Sequence, residues 1–427
     1  MRSSILTAAL NVSLENFEET SVEINPVTSE TVVEMDEVLE EVREAGEEVA
    51  GQEEAVDTLS DAADSLESLV VALESAVAAG GLSPQAADFH GRAMANIVRK
   101  LPVDKAAYTV SVESFGGTGD KLVASQEALA GAKELLEKLW NGIKTAVLNA
   151  WNAVKGFYER IGKSGPAVVA AGKSLKQAAA GTKGNPSGKA TLSTAAINAL
   201  VVGGTFDPVK ALDAVVHGYD VGVKQYGARM LSSLSPLIAT VESGQVTPQR
   251  LNEAASKVNA DSALTEDMKG KLPGGYFFDL TLGEGDGLAM LAKTSLKLGK
   301  EGGDKIKETE IATPTPQQIG QMADKVIAIG NSMIQAKQVV AAAEKGVNQV
   351  VKAGTKLAGQ GNTLDKDELS GAKSVMAQLN KAARLLTGCG PQYLQYMGTT
   401  AKAAVAFGSS ILKSYKGGKE KAEGDAA

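Results

Sequence analysis

The chain has 427 residues and a formal net charge of −8, and aromatic residues make up only 4% of it, so its apolar content is mostly Ala, Val and Leu. Its one cysteine, Cys389, excludes an internal disulfide framework and a cysteine-rich zinc site. Two histidines, His90 and His217, offer few metal ligands and few bases for a catalytic triad. The composition therefore favours a protein that is not an enzyme and holds no metal or cofactor.

The charge is divided unevenly along the chain. Residues 1–113 carry a net charge of −17, whereas residues 114–427 carry +9. Such an asymmetry informs about the partners of a chain rather than about its fold. It is also compatible with two ordinary domains that differ in isoelectric point.

The acidic part contains a long apolar seam with alternating spacings of three and four residues, which predicts a helix packed as a coiled coil. Gly46 is its weak point, since glycine costs about 1 kcal/mol against alanine inside a helix. Glutamates flank the seam, so a homodimer would oppose like charges, and we expect a basic partner, either this chain's own body or another protein. The seam consists of Met35, Val38, Val42, Ala45, Val49, Val56, Leu59, Ala63, Leu66, Val70, Leu73 and Val77.

The helix is expected to end at Gly80 and Gly81, and Ser83-Pro84 predicts the start of a second, short helix. Between Lys105 and Gly119 the pattern changes to β-branched alternation followed by a glycine pair, which indicates an extended, accessible segment. Proteases need such a backbone. The tripeptide Ser111-Val112-Glu113 lies in this segment, at the point where the charge changes sign.

These features resemble the head proteins of giant, phiKZ-like tailed bacteriophages, whose N-terminal propeptides are removed by a prohead protease that cuts after Glu in Ser-x-Glu motifs. Besides Ser111-Val112-Glu113, three weaker candidates match: Ser13-Leu14-Glu15, Ser21-Val22-Glu23 and Ser65-Leu66-Glu67. Ser125-Gln126-Glu127 also matches, inside a predicted helix, which shows how common the motif is. The resemblance implies a virion protein that lies inside the phage head, and in the host cytoplasm during assembly.

Beyond the acidic part, residues 120–161 read as one amphipathic helix with Trp140 and Trp151, and residues 162–190 as loops around one short helix. Further helices are expected at 190–202, 207–240 and 247–258. A strand is expected at 274–283, and segments near 288–298 and 305–311 are candidates to pair with it. Thr313-Pro314-Thr315-Pro316 predicts a helix to about residue 358, and two more helices are expected near 365–387 and 391–416.

The predicted fold is therefore mainly α: a helical bundle with a long N-terminal coiled-coil-like helix and a small antiparallel β insertion near 274–311. We divide the chain into an acidic helical propeptide at 1–113, a basic helical region at 114–270, the β insertion at 271–312 and a C-terminal helical bundle at 313–427. The assignment of residues 1–113 as a propeptide is implied by the resemblance to the phage head proteins.

Candidate sites of other kinds fail on their spacing. Gly172-Lys173-Ser174 resembles the end of a phosphate loop, but Ala167 stands where its first glycine belongs. Asp365-Lys366-Asp367 begins like a calcium loop, but Leu369 replaces an oxygen ligand. His90, His217 and Cys389 read as structural residues, Cys389 in a turn between two glycines.

The sequence thus predicts a structural protein of the inner head, with a propeptide that directs it to the prohead and is removed after Glu113. Its expected partners are the prohead protease, other head or core proteins and, through weak nonspecific contacts, the packaged DNA. No apolar stretch approaches the about 20 residues of a membrane span, so stable membrane insertion is not expected. Three alternatives stay open: a scaffold or core protein degraded during maturation, a secreted, membrane-active helical translocator that uses the Trp140 and Trp151 helix, and an enzyme with no recognised motif.

Overall fold

A computed structural model describes residues 29–101, 121–186, 192–243, 247–259, 266–285, 287–302, 311–359 and 384–416. These residues form a mainly α-helical bundle, as predicted, with two small antiparallel hairpins, of which only β3–β4 lies in the predicted β insertion. The helices are α1 (Ser29–Ala78), α2 (Pro84–Arg99), α3 (Lys121–Gly181), α4 (Thr194–Asn198), α5 (Pro208–Tyr219), α6 (Gln225–Ser233), α7 (Ser235–Glu242), α8 (Pro248–Ala255), α9 (Gly287–Lys293), α10 (Pro316–Gly359) and α11 (Gly390–Lys416). The strands are β1 (Val201–Val202), β2 (Thr205–Phe206), β3 (Tyr276–Thr281) and β4 (Ser295–Lys300).

Helix α1 confirms the helix predicted from the seam. All seam residues are buried except Val38 and Val77, which are half-buried. The chain leaves the helix at Gly80 and Gly81, whose φ angles of 96° and 100° favour glycine. Gly81 also lies against the start of α3, where a Cβ would come within 2.6 Å of the Lys121 carbonyl oxygen.

Helix α2 begins as the sequence predicts. The Ser83 hydroxyl accepts a hydrogen bond from the Ala86 amide at 3.3 Å, and Pro84 occupies the first helical position, where its missing N–H costs nothing. Ala87 and Met94 are buried, and the exposed side of the helix carries Phe89 and Arg92. The helix thus returns along α1 and covers part of its seam.

The prediction for residues 162–190 is wrong over 162–181, which continue α3 without a break through Pro166. Gly165 and Gly172 lie instead where α3 packs closely against α10. A Cβ on Gly165 would lie 2.7 Å from the Gly330 carbonyl oxygen, and one on Gly172 would lie 3.1 Å from the Ala323 carbonyl oxygen. Glycine is therefore required there by the close approach of two helices.

The helix expected at 190–202 is shorter, since α4 is followed by the β1–β2 hairpin with Gly203 and Gly204 at its turn. The helix expected at 207–240 is present in three parts, α5, α6 and α7, with a π-helical turn at Asp220–Lys224 between the first two. Helix α8 begins at Thr247-Pro248 as predicted, with the Thr247 hydroxyl accepting from the Arg250 amide at 3.3 Å.

The predicted strand is confirmed as β3, which pairs with β4 from Tyr276 opposite Lys300 to Thr281 opposite Ser295. The first part of the expected partner segment is helical rather than extended, because residues 287–293 form α9. Its Leu288 and Leu291 are spaced by three residues and both are buried, a helical pattern. Of the second candidate, 305–311, only Ile311 lies within the described residues.

The long C-terminal helices are present as α10 and α11. The helix expected near 365–387 lies outside the described residues except for a 3₁₀ turn at Arg384–Leu386. Two apolar cores run through the bundle. The second half of α1 forms one with α2 and the first half of α3, and the first half of α1 enters the larger one with the rest of α3, α10 and α11.

Candidate interaction surface and processing sites

Helices α1 and α3 form a long antiparallel pair with one register. The Glu74 carboxylate contacts the Lys133 ammonium at 2.5 Å, the Glu48 carboxylate lies 3.8 Å from the Arg160 guanidinium, and the Ser125 hydroxyl accepts from the Leu82 amide at 2.6 Å. In all three pairs the two residue numbers add up to nearly the same value, so the helices stay aligned from one end of the pair to the other. That is a contact roughly 50 Å long at 1.5 Å per residue.

The seam of α1 provides the main stabilisation of this pair. Ten seam residues are at most 7% exposed, among them Leu59, Leu66 and Leu73 at 0%. Burying such a side chain contributes about 1.5–3 kcal/mol. Leu135, Leu139 and Trp140 of α3 cover the seam in the smaller core. The acidic helix is therefore a structural part of the bundle.

The basic partner expected for α1 is the chain's own body. Besides the two pairs with α3, Asp36 lies 2.9 Å from the ammonium of Lys402 in α11, and Arg384 donates two hydrogen bonds of 2.8 Å to the carboxylate of Asp57. All these side chains are partly exposed, so each pair contributes about 0–1 kcal/mol. These ion pairs therefore fix the orientation and register of α1 on the body more than they stabilise the fold.

Gly46, the weak point of the predicted helix, has a specific contact. The side-chain amide of Gln395 in α11 lies against it and donates to the carbonyl oxygens of Val42 and Arg43, both at 3.3 Å. A Cβ on residue 46 would lie 1.5 Å from that nitrogen. The sequence did not predict contacts with α1 for Gln395, Arg384 or Lys402. For Gln395 the one signal was Gly46, a glycine inside an otherwise strong helix. Arg384 and Lys402 had no such signal.

The outer face of α1 remains acidic. The helix contains sixteen acidic residues and one basic residue, Arg43. Arg43 pairs with Glu40 and Glu47 on its own helix, and these contacts raise the pKa of Arg43 and lower that of Glu40. The exposed acidic residues are Glu34, Glu37, Glu40, Glu41, Glu44, Glu47, Glu48, Glu54, Asp61 and Asp64. The helix thus presents a strip of carboxylates to the solvent.

Glu53, in the middle of α1, has a carboxyl group with a raised pKa. Burial raises it, Arg384 opposes the rise, and Asp57 adds to it. The side chain borders a cavity of about 40 Å³ together with Trp151 and Arg384. Ionised Glu53 is therefore less favourable in the folded protein than in the unfolded chain.

Replacing Glu53 by glutamine is expected to raise the thermal midpoint at about pH 7 and to leave it unchanged at about pH 3. The pKa of Glu53 is higher in the folded state, so its ionisation destabilises the fold as the pH rises from the ordinary carboxyl pKa through the folded one. At low pH both states are protonated and the difference disappears. Glu54→Gln, at the exposed neighbouring position, is the matched control. A gain of Glu53→Gln that is equal at both pH values would contradict this assignment.

The candidate processing sites differ in their position. Ser111-Val112-Glu113 lies outside the described residues, in the connection between α2 and α3, and Ser13-Leu14-Glu15 and Ser21-Val22-Glu23 lie outside them before α1. Ser65-Leu66-Glu67 lies inside α1 with Leu66 fully buried, and Ser125-Gln126-Glu127 lies inside α3. A helical, buried backbone does not fit an extended protease site. The fold thus disfavours the last two motifs.

The other singled-out residues have structural surroundings. Cys389 is buried in the turn before α11, and burial raises the pKa of its thiol to about 12, so it stays protonated. His90 is half-buried beside the Phe89 ring, and His217 is exposed on α5. Lys173 and Ser174 lie within α3 rather than in a phosphate loop. Trp140 and Trp151 are 4% and 8% exposed, so the helix proposed for membrane contact uses both tryptophans in the core.

Two larger clefts open on the body. One, of about 730 Å³, lies between the start of α5 and the residues that precede α10. The other, of about 630 Å³, lies between α4, the β3–β4 hairpin and α11, with Lys300 beside the Tyr276 ring. Within the described ranges, no three His, Cys, Asp or Glu side chains are grouped to hold a metal ion. In the same part of the chain, no helix has the length and hydropathy required to cross a membrane.

The model of a family described as phiKZ-like phage internal head proteins matches residues 30–410. No curated protein and no solved structure shows significant similarity to the chain. The match extends over α1 and α2 as well as the body, so the acidic helices belong to the family's common region. The chain is therefore a member of the phiKZ-like phage internal head proteins, with a structural role inside the phage head.

Proposed function

We propose that the chain enters the prohead as a precursor, that its acidic part directs it there, and that the prohead protease cuts it after Glu113. The observation that carries this proposal is the position of Ser111-Val112-Glu113 between two well-formed helices, α2 and α3, at the point where the charge changes sign. The described residues on both sides are helical, so a cut in the connection leaves both α2 and α3 whole.

The acidic strip of α1 is the surface that we assign to prohead targeting. The apolar seam is buried within the chain, so it is not available for an intermolecular coiled coil in the folded protein. The acidic strip of α1 is exposed to the solvent, and its charge fits a basic partner among the other head or core proteins. This assignment gives the charge asymmetry a role in assembly.

Contact with the packaged DNA is proposed for the body alone. Lys163 and Lys173 of α3 and Lys337 of α10 are exposed. Lysines spread along helices without an arginine cluster favour weak, salt-sensitive binding that does not depend on sequence. The carboxylates of α1 repel the same polyanion, so the DNA contact would lie away from α1.

Coexpression with the prohead protease tests the cleavage. The wild-type chain is expected to yield a new N-terminus at Ser114, and Glu113→Gln is expected to abolish it, because the protease recognises Glu before the scissile bond. Glu67→Gln, in the motif within α1, is the matched control and should leave the cut unchanged. An intact wild-type chain, or equal cutting of the Glu113→Gln chain, would rule out this site.

A further inference from the structure

We infer that a cut between α2 and α3 leaves the acidic fragment bound to the body, so that processing converts the precursor into a two-chain complex. The inference rests on the proposed cleavage and extends it. The sequence alone gives the expectation that cleavage removes the acidic part. The packing of α1 indicates that cleavage and removal are separate events.

The first reason is the area of contact. Helix α1 places its seam in both apolar cores, with Met35, Val42 and Val49 in the larger one and Leu59 and Leu66 in the smaller one. These contacts run along the whole helix and do not pass through the connection at 102–120. Breaking one peptide bond in that connection therefore removes none of them.

The second reason is the surface that departure of the fragment would uncover. Leu135, Leu139 and Trp140 of α3, which share the smaller core with the seam, would lose their cover. A soluble protein rarely exposes an apolar strip of this length. The body alone would expose it together with Lys133, Arg160 and Arg384, which now pair with α1.

The third reason is that polar contacts fix the fragment at both ends. The carboxylate of Asp36 pairs with Lys402 near one end of α1, and the Leu82 amide donates to Ser125 beyond the other. Between them, Gln395 binds two carbonyl oxygens of α1. These contacts all require the same register of α1 on the body. If α1 shifted along the body, all of them would be lost together.

The consequence concerns the charge of the mature particle. If the fragment stayed bound, the carboxylates of α1 would remain on the processed protein, and the body would keep four of its basic side chains paired with α1. Processing would then free the two chain ends at the cut and leave the electrostatic surface almost unchanged. The cut complex would have no more affinity for DNA than the intact chain.

The test uses the full chain with a recognition site for an unrelated, sequence-specific protease inserted between Gly116 and Gly117, and a histidine tag at the N-terminus. After cleavage under native conditions, the tagged fragment is captured on nickel resin and the body is quantified in the bound and unbound fractions on a denaturing gel. We expect nearly all of the cut body to be bound, at low salt and at about 1 M NaCl, where the Debye length is about 3 Å.

Release of the cut body at low salt overturns the inference, and so does release at high salt, because the seam rather than the ion pairs is proposed to hold the fragment. Failure of the unrelated protease to cut at the inserted site would also contradict the inference, because the inference requires an accessible connection.

Leu59→Asp with Leu66→Asp should reduce the amount of bound body at least about tenfold, which corresponds to about 1.4 kcal/mol. Val71→Asp, on the exposed side of α1, should leave it unchanged.

This design separates the two proposals. The inserted site needs neither Glu113 nor the prohead protease, so release of the body would leave the proposed cleavage intact. Conversely, failure of the prohead protease to cut after Glu113 would leave the measured retention of the fragment unaffected.

Discussion

Leu66→Ala is expected to lower the free energy of unfolding by about 2–5 kcal/mol, the range for deleting a fully buried leucine. Leu66 lies at the centre of the seam with 0% of its surface exposed, between α1 and α3. The loss combines the transfer free energy of the removed methyl groups with the cavity that remains. Chemical denaturation followed by circular dichroism measures it as a lower midpoint.

Val71→Ala is the matched control for this prediction. Val71 lies on the same helix, five residues further on, and is 52% exposed, so its replacement is expected to change the stability by no more than about 0.5 kcal/mol. Equal effects at the two positions would show that α1 does not pack through its seam.

Gly165→Ala is expected to destabilise the protein, because overpacking where α3 packs against α10 costs about 1–3 kcal/mol. The added methyl group would lie 2.7 Å from the Gly330 carbonyl oxygen and 3.0 Å from the Ile334 amide nitrogen, both backbone atoms. The helices would have to move apart, because a backbone atom cannot rotate away. This cost exceeds the gain of about 1 kcal/mol that alanine has over glycine inside a helix.

Gly156→Ala in the same helix is expected to have the opposite sign. Apart from the adjacent backbone of α3 itself, no described atom lies within 4 Å of a Cβ built there. Only the helix propensity therefore acts, and the variant should be more stable by about 0.5–1 kcal/mol. The pair of variants is compared by their thermal midpoints. A stabilising Gly165→Ala would contradict the close packing of α3 against α10.

The seam of α1 was predictable because burial of one helix face imposes a period on the sequence, and that period continues from Met35 to Val77. The β3 strand was predictable for a related reason, since aromatic and β-branched residues between glycines are typical of a strand. In both cases the signal is local. The residues of α1 and β3 show that one of their faces is buried, but they do not show which other element packs against that face.

The glycines of α3 show the limit of local reasoning. Gly162, Gly165 and Pro166 carry the composition of a loop, yet they continue a helix because a partner helix requires small residues on that side. The partner, with Gly330 at the contact, lies more than 160 residues away in sequence. A single sequence contains no indication of that pairing, so the local propensity gave the wrong answer.

The sequence predicted which type of surface α1 contacts, but not which residues of the body form that surface. Charge and periodicity predicted a basic partner with an apolar face, and the structure supplies it within the chain as α3, α11 and Arg384. The identity of the bases depends on the register of helices from distant parts of the chain. The same is true of Gln395, whose contact explains a glycine that propensity alone treats as a defect.

The acidic helices are proposed to remain part of the processed protein inside the head. Quantitative mass spectrometry of purified particles tests it most directly, by comparing peptides from residues 29–101 with peptides from residues 121–416. We predict equal molar amounts of the two sets together with a new N-terminus at Ser114. Particles that contain the body with that N-terminus but lack peptides from residues 29–101 would contradict it.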